Sequence, residues 1–454
     1  MKISSPGLAG ALLAAFLFVC LGQLKAQAGD VAAVEAALMK KVAENIEQHR
    51  KGDAEITFRE ESGKPIANAA VEVEQISSQF LFGCIIFDLV EEDGGYRPEQ
   101  FKRMFKDLFN FAVFPFYWAG YEPRQGMPEW ESMLPVIEWC KANGIVTKGH
   151  PLVWPASSGK PRWLADYPME ETFNYLQYRV KNVVGGFKGD IDIWDVFNEP
   201  VNITAWDAPN AGSWGRQPWD TNLDLVEKAF RWAHSANPRA TLILNEFYQI
   251  AIPETRQSFY DLVKELQRRG APLSGLGIQA HEPREEWYPP KRVWETFDKL
   301  AELGLPLHIT EFHPQSGNKE ITGGWRSGTW TEQAQADFAE QMYRLAFGHP
   351  AVVSFNIWGL SDRNSWLPKG GLIDEEYRPK PIYDRLKKLI REEWHTSLSA
   401  KSDAAGMVKF RGFYGSYKVT LRTADGRERQ FELNLQKGGE VRTVFTAVKY
   451  PYAK

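Results

Sequence analysis

Cysteine is scarce in this chain, with three in 454 residues. That excludes a disulfide-framework fold, and no His/Cys cluster with ligand spacing accompanies them to make a zinc site. Cys84 and Cys140 sit in apolar segments and are expected to be buried free thiols, although an oxidising compartment would permit a bridge. Basic residues are not in excess: 54 Lys and Arg face 58 Asp and Glu, a formal net charge of -4. No Lys/Arg run stands out, so nothing is available to neutralise a phosphate backbone, and nucleic acid is excluded as a partner. Long apolar runs are absent after Leu8–Leu21, which excludes a membrane span in the body of the chain. No Gly-rich phosphate loop follows the first strand candidate, which weakens a doubly wound nucleotide-binding sheet.

What is present begins with an export segment. Lys2, the apolar stretch Leu8–Leu21 and the small residues Ala26-Gln27-Ala28 have the order of a signal peptide cut after about Ala28. The stretch is short for a membrane anchor, the alternative reading. The mature protein is therefore expected outside the cytoplasm, secreted or periplasmic.

Hydrophobic residues make up 43% and charged residues 25%, ordinary for a globular protein long enough for one large domain and a smaller one. Val31–Lys51 has helical periodicity. Ile56–Arg59 and Ala70–Glu74 alternate as strands, as do Met407–Phe410, Tyr417–Leu421, Phe431–Leu433 and Val441–Val444. Each terminal set is small for an independent sheet, so the two ends are expected to pair into one β-sandwich. Between them, short apolar strands alternate with amphipathic helices eight times: Phe80–Ile86, Phe109–Phe114, Val146–Val153, Ile191–Asn198, Ala240–Phe247, Gly275–Ala280, Pro306–Phe312 and Val352–Trp358. Glu254–Arg269 and Thr331–Phe347 are two of the helices, and the last runs from Pro381 to Glu393. Eight such units predict an α/β fold, a (β/α)8 TIM barrel. The expected organisation is residues 1–28 as signal, 29–78 as helix and β segment, 79–395 as barrel and 396–454 as C-terminal β segment.

Reactive groups in such a barrel lie at the C-terminal ends of the strands. Two strands end in a carboxylate. The fourth runs Ile193-Trp194-Asp195-Val196-Phe197-Asn198-Glu199-Pro200, and the seventh Leu307-His308-Ile309-Thr310-Glu311-Phe312-His313. A surface Glu capping a loop would explain either alone; the pair is more specific. Two carboxyls flanking an acetal supply a proton to the leaving oxygen and stabilise an oxocarbenium-like centre, with retention at a spacing of about 5–5.5 Å and inversion at about 6.5–9.5 Å. His308 and His313 raise metal chemistry, but barrels that use it carry a His-x-His pair on an early strand, and this chain has none. No metal or cofactor is expected. Asp195 reads as a structural partner beneath the site.

These segments resemble glycoside hydrolase family 10, the endo-β-1,4-xylanases. Trp194–Pro200 is similar to that family's acid/base motif and Ile309-Thr310-Glu311 to its nucleophile motif. Gly149–Trp154, Pro161–Leu164, Val183–Gly189, Leu244–Phe247, Gly275–His281, and Trp358–Asp362 with Ser365-Trp366 follow in the family's order, from about Phe80 to Tyr383. The resemblance implies that Glu199 is the acid/base and Glu311 the nucleophile, with retention. It implies that Asn198 hydrogen-bonds the sugar 2-hydroxyl and that His281 holds Glu311. Gln279, two residues earlier on the same strand face, could reach the catalytic carboxylates. His150 and Trp154 would line the glycone side, Trp358 would floor it, and Trp366 would also touch substrate. The implied partner is a polysaccharide or oligosaccharide, xylan by default, taken by a monomer.

One departure stands out. The family's second strand ends in a polar cluster that grips xylose; here Val113-Phe114-Pro115-Phe116-Tyr117-Trp118 stands there, and Pro155 replaces a usual His. An aromatic, remodelled glycone pocket is expected, which leaves open another β-glycoside, an exo-acting or transglycosylating relative, or a non-catalytic carbohydrate-binding barrel.

Overall fold

The computed structural model describes residues 33–90, 98–438 and 441–447; the expected export segment lies outside them. A helix over 33–49 leads into strands β1 (Lys51–Glu60) and β2 (Ala70–Ser78). In β1 every second residue from Gly52 to Phe58 is buried, and in β2 Val71, Val73 and Gln75 are, the period-2 pattern of strands with one covered face.

Eight strands follow: β3 (Leu81–Ile85), β4 (Phe111–Pro115), β5 (Val146–His150), β6 (Ile193–Asn198), β7 (Thr241–Glu246), β8 (Gly275–Ile278), β9 (Leu307–Phe312) and β10 (Val352–Ile357). They pair in parallel in chain order, and β10 returns to β3 to close the barrel. Their residues are almost all buried, because side chains fill the interior while helices cover the outside. The helices start where local chemistry allows. Thr331 accepts the Ala334 N–H (3.1 Å) to cap Glu332–Gly348, and Pro253, Pro290 and Pro381 occupy first turns where no amide donor is needed. The last helix, Pro381–Lys388, runs into a π-helical turn at Leu389–Glu393.

Five strands close the chain: β11 (Ser397–Lys401), β12 (Met407–Phe413), β13 (Gly415–Arg422), β14 (Glu428–Leu435) and β15 (Val441–Ala447). β1 lies between antiparallel β12 and parallel β15, and β2 lies between β11 and β13, with β14 beyond. The two sheets share one core, with Ile56, Phe58, Val71, Val73, Val419, Leu421 and Leu435 at its centre. The ends thus complete each other as a sandwich. The sequence pattern gave no warning of β11, since Ser397-Leu398-Ser399-Ala400-Lys401 carries little apolar weight; it forms by pairing with β2.

The sandwich is fastened to the barrel at the start of β10. The Arg50 guanidinium donates to the carbonyls of Phe347 (2.6 Å), His349 (2.7 Å) and Val352 (2.7 Å). Cys84 and Cys140 are buried free thiols. Among the described residues no helix is long and apolar enough to cross a membrane.

Ending the chain at residue 396 removes every strand partner of β1 and β2. Limited proteolysis should then cut within residues 51–78 of the shortened chain but not the full one; equal protection in both would disprove the shared sheets. In the full chain Phe58→Ala should destabilise the sandwich by about 3–5 kcal/mol, read from its denaturation midpoint.

Candidate active site

The C-terminal ends of the barrel strands surround a cleft of about 900 Å³. Its lining includes Asn198, Glu199, Glu311, His150, Trp154, His281, Trp358 and Trp366. Gln279, fully buried, sits just behind and reaches the same groups. All nine residues singled out from the sequence are therefore brought together.

The backbone at the mouth is unusual. Glu199 (φ 63°), Tyr248 (φ 62°) and Ala280 (φ 59°) are left-handed non-glycine residues just past β6, β7 and β8. Such conformations cost of order 1–3 kcal/mol each and persist only where the surroundings impose them. For Glu199 the restraints are visible. Its N–H donates to the Asn245 carbonyl (2.8 Å), and the Glu246 carboxylate accepts from Val201 N (2.8 Å) and Asn202 Nδ2 (2.9 Å) just downstream. A register shift between Asp195 and Phe197 in the β6–β7 pairing breaks the regular alternation immediately before it.

Around the carboxyls runs one hydrogen-bond network. Trp154 Nε1 donates to Glu199 Oε2 (2.6 Å) and Gln279 Nε2 to Glu199 Oε1 (3.0 Å). Gln279 Nε2 also reaches Asn198 Oδ1 (3.2 Å), which accepts from Asn245 Nδ2 (2.8 Å) as well. Asn245 Nδ2 donates in turn to Glu311 Oε1 (2.6 Å), and Thr310 Oγ1 fixes the other end of that amide (2.6 Å). With its oxygen doubly occupied, Asn198 has its Nδ2 to offer to a ligand. Glu311 Oε2 lies 3.5 Å from His281 Nε2, and its Oε1 lies 3.9 Å from His150 Nε2. His150 Nδ1 is held by Asp195 Oδ2 (2.8 Å), which also pairs with Lys148 Nζ (2.6 Å). Asp195 is thus a buried brace under the site. Burial works against its charge, but Lys148 and His150 outweigh it and hold the carboxyl below its ordinary range.

Glu199 is in the opposite state. Burial, then the carboxyls of Glu246 and Glu311, push its proton affinity well above that of an ordinary glutamate; the Gln279 and Trp154 donors only partly offset them. Glu246, fully buried, is itself pushed up to about 7, mainly by desolvation.

The second-strand aromatics behave differently from expectation. Phe116 turns inward and packs edge-on against Trp194 (5.0 Å) and Phe187 (5.1 Å). Trp118 is buried beside Trp163 and Trp206, its Nε1 on Glu122 Oε2 (2.8 Å). Pro155 is buried and is not among the cleft-lining residues. Of that group only Tyr117 lines the cleft, with Phe87 stacked on it (6.2 Å) and edge-on to Trp358 (6.2 Å). The apolar run was core first and lining second. His308 and His313 are buried imidazoles held by Ser354 Oγ and Ser365 Oγ (2.8 Å each), both depressed to about 3 by desolvation. Among the described residues no group of three or more His, Cys, Asp or Glu is arranged to hold a metal ion.

Asn245 and Glu246 are the working residues that sequence reasoning assigned no role. Their signal was the same as that of Asn198-Glu199, an amide and a carboxylate ending an apolar strand. Gly277 on neighbouring β8 makes room for the Asn245 side chain, since a Cβ there would collide with it. Trp214, Phe247 and Tyr248 also line the cleft.

A closed parallel barrel with paired glutamates at the mouths of its fourth and seventh strands, in an aromatic cleft, defines the glycoside hydrolase class of barrel. More particularly, the chain belongs to glycosyl hydrolase family 10, whose model matches residues 83–389. It is 30% identical over 288 residues to endo-1,4-beta-xylanase B of Thermotoga neapolitana, covering 61% of this chain and 78% of that one. It is 28% identical over 406 residues to the anti-sigma-I factor RsgI6 of Acetivibrio thermocellus, covering 88% of this chain and 49% of that protein. The chain thus spans about half the length of that relative, and 40% of endo-1,4-beta-xylanase 1 of Arabidopsis thaliana. Among solved structures, xylanase 10B of Thermotoga petrophila in complex with xylobiose superposes with a TM-score of 0.58 at 26% identity, covering 69% of this chain and 95% of that one.

Two measurements probe the electrostatics. Glu246 holds its proton more tightly folded (about 7) than an ordinary glutamate does (4.5), so its contribution to stability is complete below about pH 4.5 and is lost as pH rises through 7. Glu246→Gln should therefore flatten the fall in unfolding free energy between pH 5 and pH 9 by about 3 kcal/mol; parallel curves for the two proteins would contradict this. Trp154→Phe removes a donor that favours the ionised Glu199, so the alkaline limb of the pH–activity profile should move to higher pH.

Proposed function

We propose that this chain is a retaining glycoside hydrolase, exported from the cytoplasm, that cleaves β-1,4-linked xylan by double displacement. The observation that carries this reading is the unequal environment of two linked carboxyls. Glu199 is buried and inclined to keep its proton, while Glu311 accepts from Asn245 and lies beside His281. In the first step Glu199 protonates the glycosidic oxygen as Glu311 Oε attacks the anomeric carbon; the C–O bond to the leaving sugar breaks and a glycosyl ester forms. Esterification removes the Glu311 charge, one of the influences that raised the Glu199 proton affinity. Glu199, now ionised and stabilised by the Trp154 and Gln279 donors, takes a proton from the water that attacks the ester. Asn198 Nδ2 is placed to donate to the 2-hydroxyl of the sugar held at the nucleophile, with Trp358 beneath its ring.

Xylan is favoured by the xylanases among the relatives and by the xylobiose-bound neighbour. Export rests on the sequence of residues 1–28. A second reading, a carbohydrate-binding barrel without turnover, draws on the similarity to an anti-sigma factor over most of the chain. The complete carboxyl network favours hydrolysis.

Turnover decides between them. Glu199→Ala should lower kcat/KM on xylan by about 10²–10⁴-fold, with a smaller loss on aryl β-xylosides whose leaving groups need no proton. Glu311→Ala should lose at least as much on both. Proton NMR of the first product should show the β-anomer. A wild-type chain that binds xylan but leaves it intact would establish the non-catalytic binding role, and a first-formed α-anomer would rule out double displacement.

A further inference from the structure

The wall that carries Trp366 stands on a buried ion pair that takes no part in the proton transfers. From β10 the chain passes through Trp358, runs over residues 359–380 and enters the last helix at Pro381. Lys380 closes that segment and is buried. Its Nζ donates to Asp362 Oδ1 (3.1 Å) and to the carbonyls of Lys369 and Gly371 (2.8 Å each). Asp362 Oδ1 also accepts from Gly371 N (2.8 Å). One ammonium thus joins the beginning, the middle and the end of the loop. Gln335, on the helix Glu332–Gly348, donates from Nε2 to the carbonyls of Lys369 (3.2 Å), Gly371 (3.3 Å) and Pro314 (2.7 Å). That ties the loop to the segment just after β9.

The tip of the loop is held from the nucleophile strand. Ser365 Oγ lies 2.8 Å from Nε2 of His313, two residues beyond Glu311, and accepts from Gly370 N (3.1 Å). A Cβ at Gly370 would stand 2.0 Å from His313 Nε2, and one at Gly371 2.4 Å from Asp362 N, so the two glycines permit this packing. Trp366 follows Ser365 directly. Its ring is edge-on to His281 (5.3 Å), and the Arg284 guanidinium lies 4.5 Å from its centre. His281 Nε2 is in turn 3.5 Å from Glu311 Oε2. The indole keeps 42% of its surface exposed to the cleft that it lines. Apolar residues of similar volume often stabilise an interior as well as a buried ion pair does. What the pair supplies is one arrangement of the oxygens around it, and for a group that positions substrate a shift of about 1 Å matters.

We propose that Asp362 and Lys380 are positioning residues that act on substrate through Trp366: the buried pair fixes the loop after β10 so that the indole stands as a preformed wall beside His281 and Glu311. The kinetic consequence rests on the hydrolase reading above; the effect on binding rests on the loop geometry alone. Neither residue touches the reacting atoms.

The test is a double-mutant cycle in the full chain with xylohexaose as substrate. One edge neutralises the pair, Asp362→Asn together with Lys380→Met, so that neither charge is left alone in the interior; the other is Trp366→Ala. Neutralising the pair should raise KM by about five- to tenfold and leave kcat within about twofold, since a wall ring holds ground state and transition state alike. In the Trp366→Ala background the same change should move KM by less than about twofold. A pair that only stabilised the fold would lower the melting temperature and act by the same factor in both backgrounds. That result, or an unchanged KM, would overturn the proposal. Asp362→Asn alone, isosteric and still an acceptor for Lys380, goes through the same cycle and keeps the test decisive if the neutralised variant fails to fold. It should raise KM by about two- to threefold, and only where Trp366 is present; additivity with Trp366→Ala would again overturn the proposal. Calorimetric binding of xylohexaose to Glu311→Ala repeats the cycle without turnover. If the wild type binds but never cuts, while affinity shows the coupling, the hydrolase reading fails and the positioning role stands. If it cuts, but neither KM nor affinity shows the coupling, the positioning role fails alone. A wild type that neither binds nor cuts xylohexaose overturns both.

Discussion

Glu199 is buried at the mouth of this barrel near two other carboxyls, those of Glu246 and Glu311, and the arrangement there is organised around the cost of charging it. Glu199 has a raised proton affinity, and amide groups serve both it and Glu311. Asn245 reaches Glu311, Gln279 reaches Glu199, and both meet at the Asn198 oxygen. Each amide comes from a different strand, so the network exists only if β6, β7, β8 and β9 stand side by side in that order. Closure of the barrel is thus a condition of the electrostatics as well as of the packing.

The same network accounts for where conformational cost is carried. Three of the left-handed non-glycine residues, Glu199, Tyr248 and Ala280, lie at strand ends that frame the cleft. Glu246 links two of these strand ends: a carboxyl on β7 whose oxygens hold the segment that follows Glu199, and whose own charge acts on Glu199. Beneath, Asp195 with Lys148 and His150 forms a compensated buried group on the Glu311 side. The terminal sandwich joins the barrel near the start of β10, at the opposite end from the cleft, where the Arg50 contacts bind it to main-chain carbonyls. Bracing is the role that position suits.

The walls of the cleft follow a different logic from its floor. Floor residues satisfy one another and are nearly all buried; wall residues such as Trp214 and Trp366 keep large exposed faces, 57% and 42%. The floor thus holds the linked carboxyls, and the walls hold the exposed rings.

Much of this was legible in the chain itself. Eight apolar strands at regular spacing, the carboxylates ending the fourth and seventh, and alternating segments at both termini are local patterns, each determined by a period of two or of 3.6 residues. Asn198-Glu199 and Thr310-Glu311 betray themselves because polar groups end otherwise apolar strands. Tertiary structure alone decided the rest. The aromatic run Phe116-Tyr117-Trp118 reads as one lining surface, yet only Tyr117 opens to the cleft, since which face of a loop residue is buried depends on partners such as Trp194 and Trp206 far away in sequence. Asn245 and Glu246 gained their roles from neighbours on β6 and β9, and β11 formed because β2 offered it an edge. Periodicity is a property of adjacent residues, whereas hydrogen-bond partners, burial and proton affinity belong to the closed barrel, which no local pattern contains.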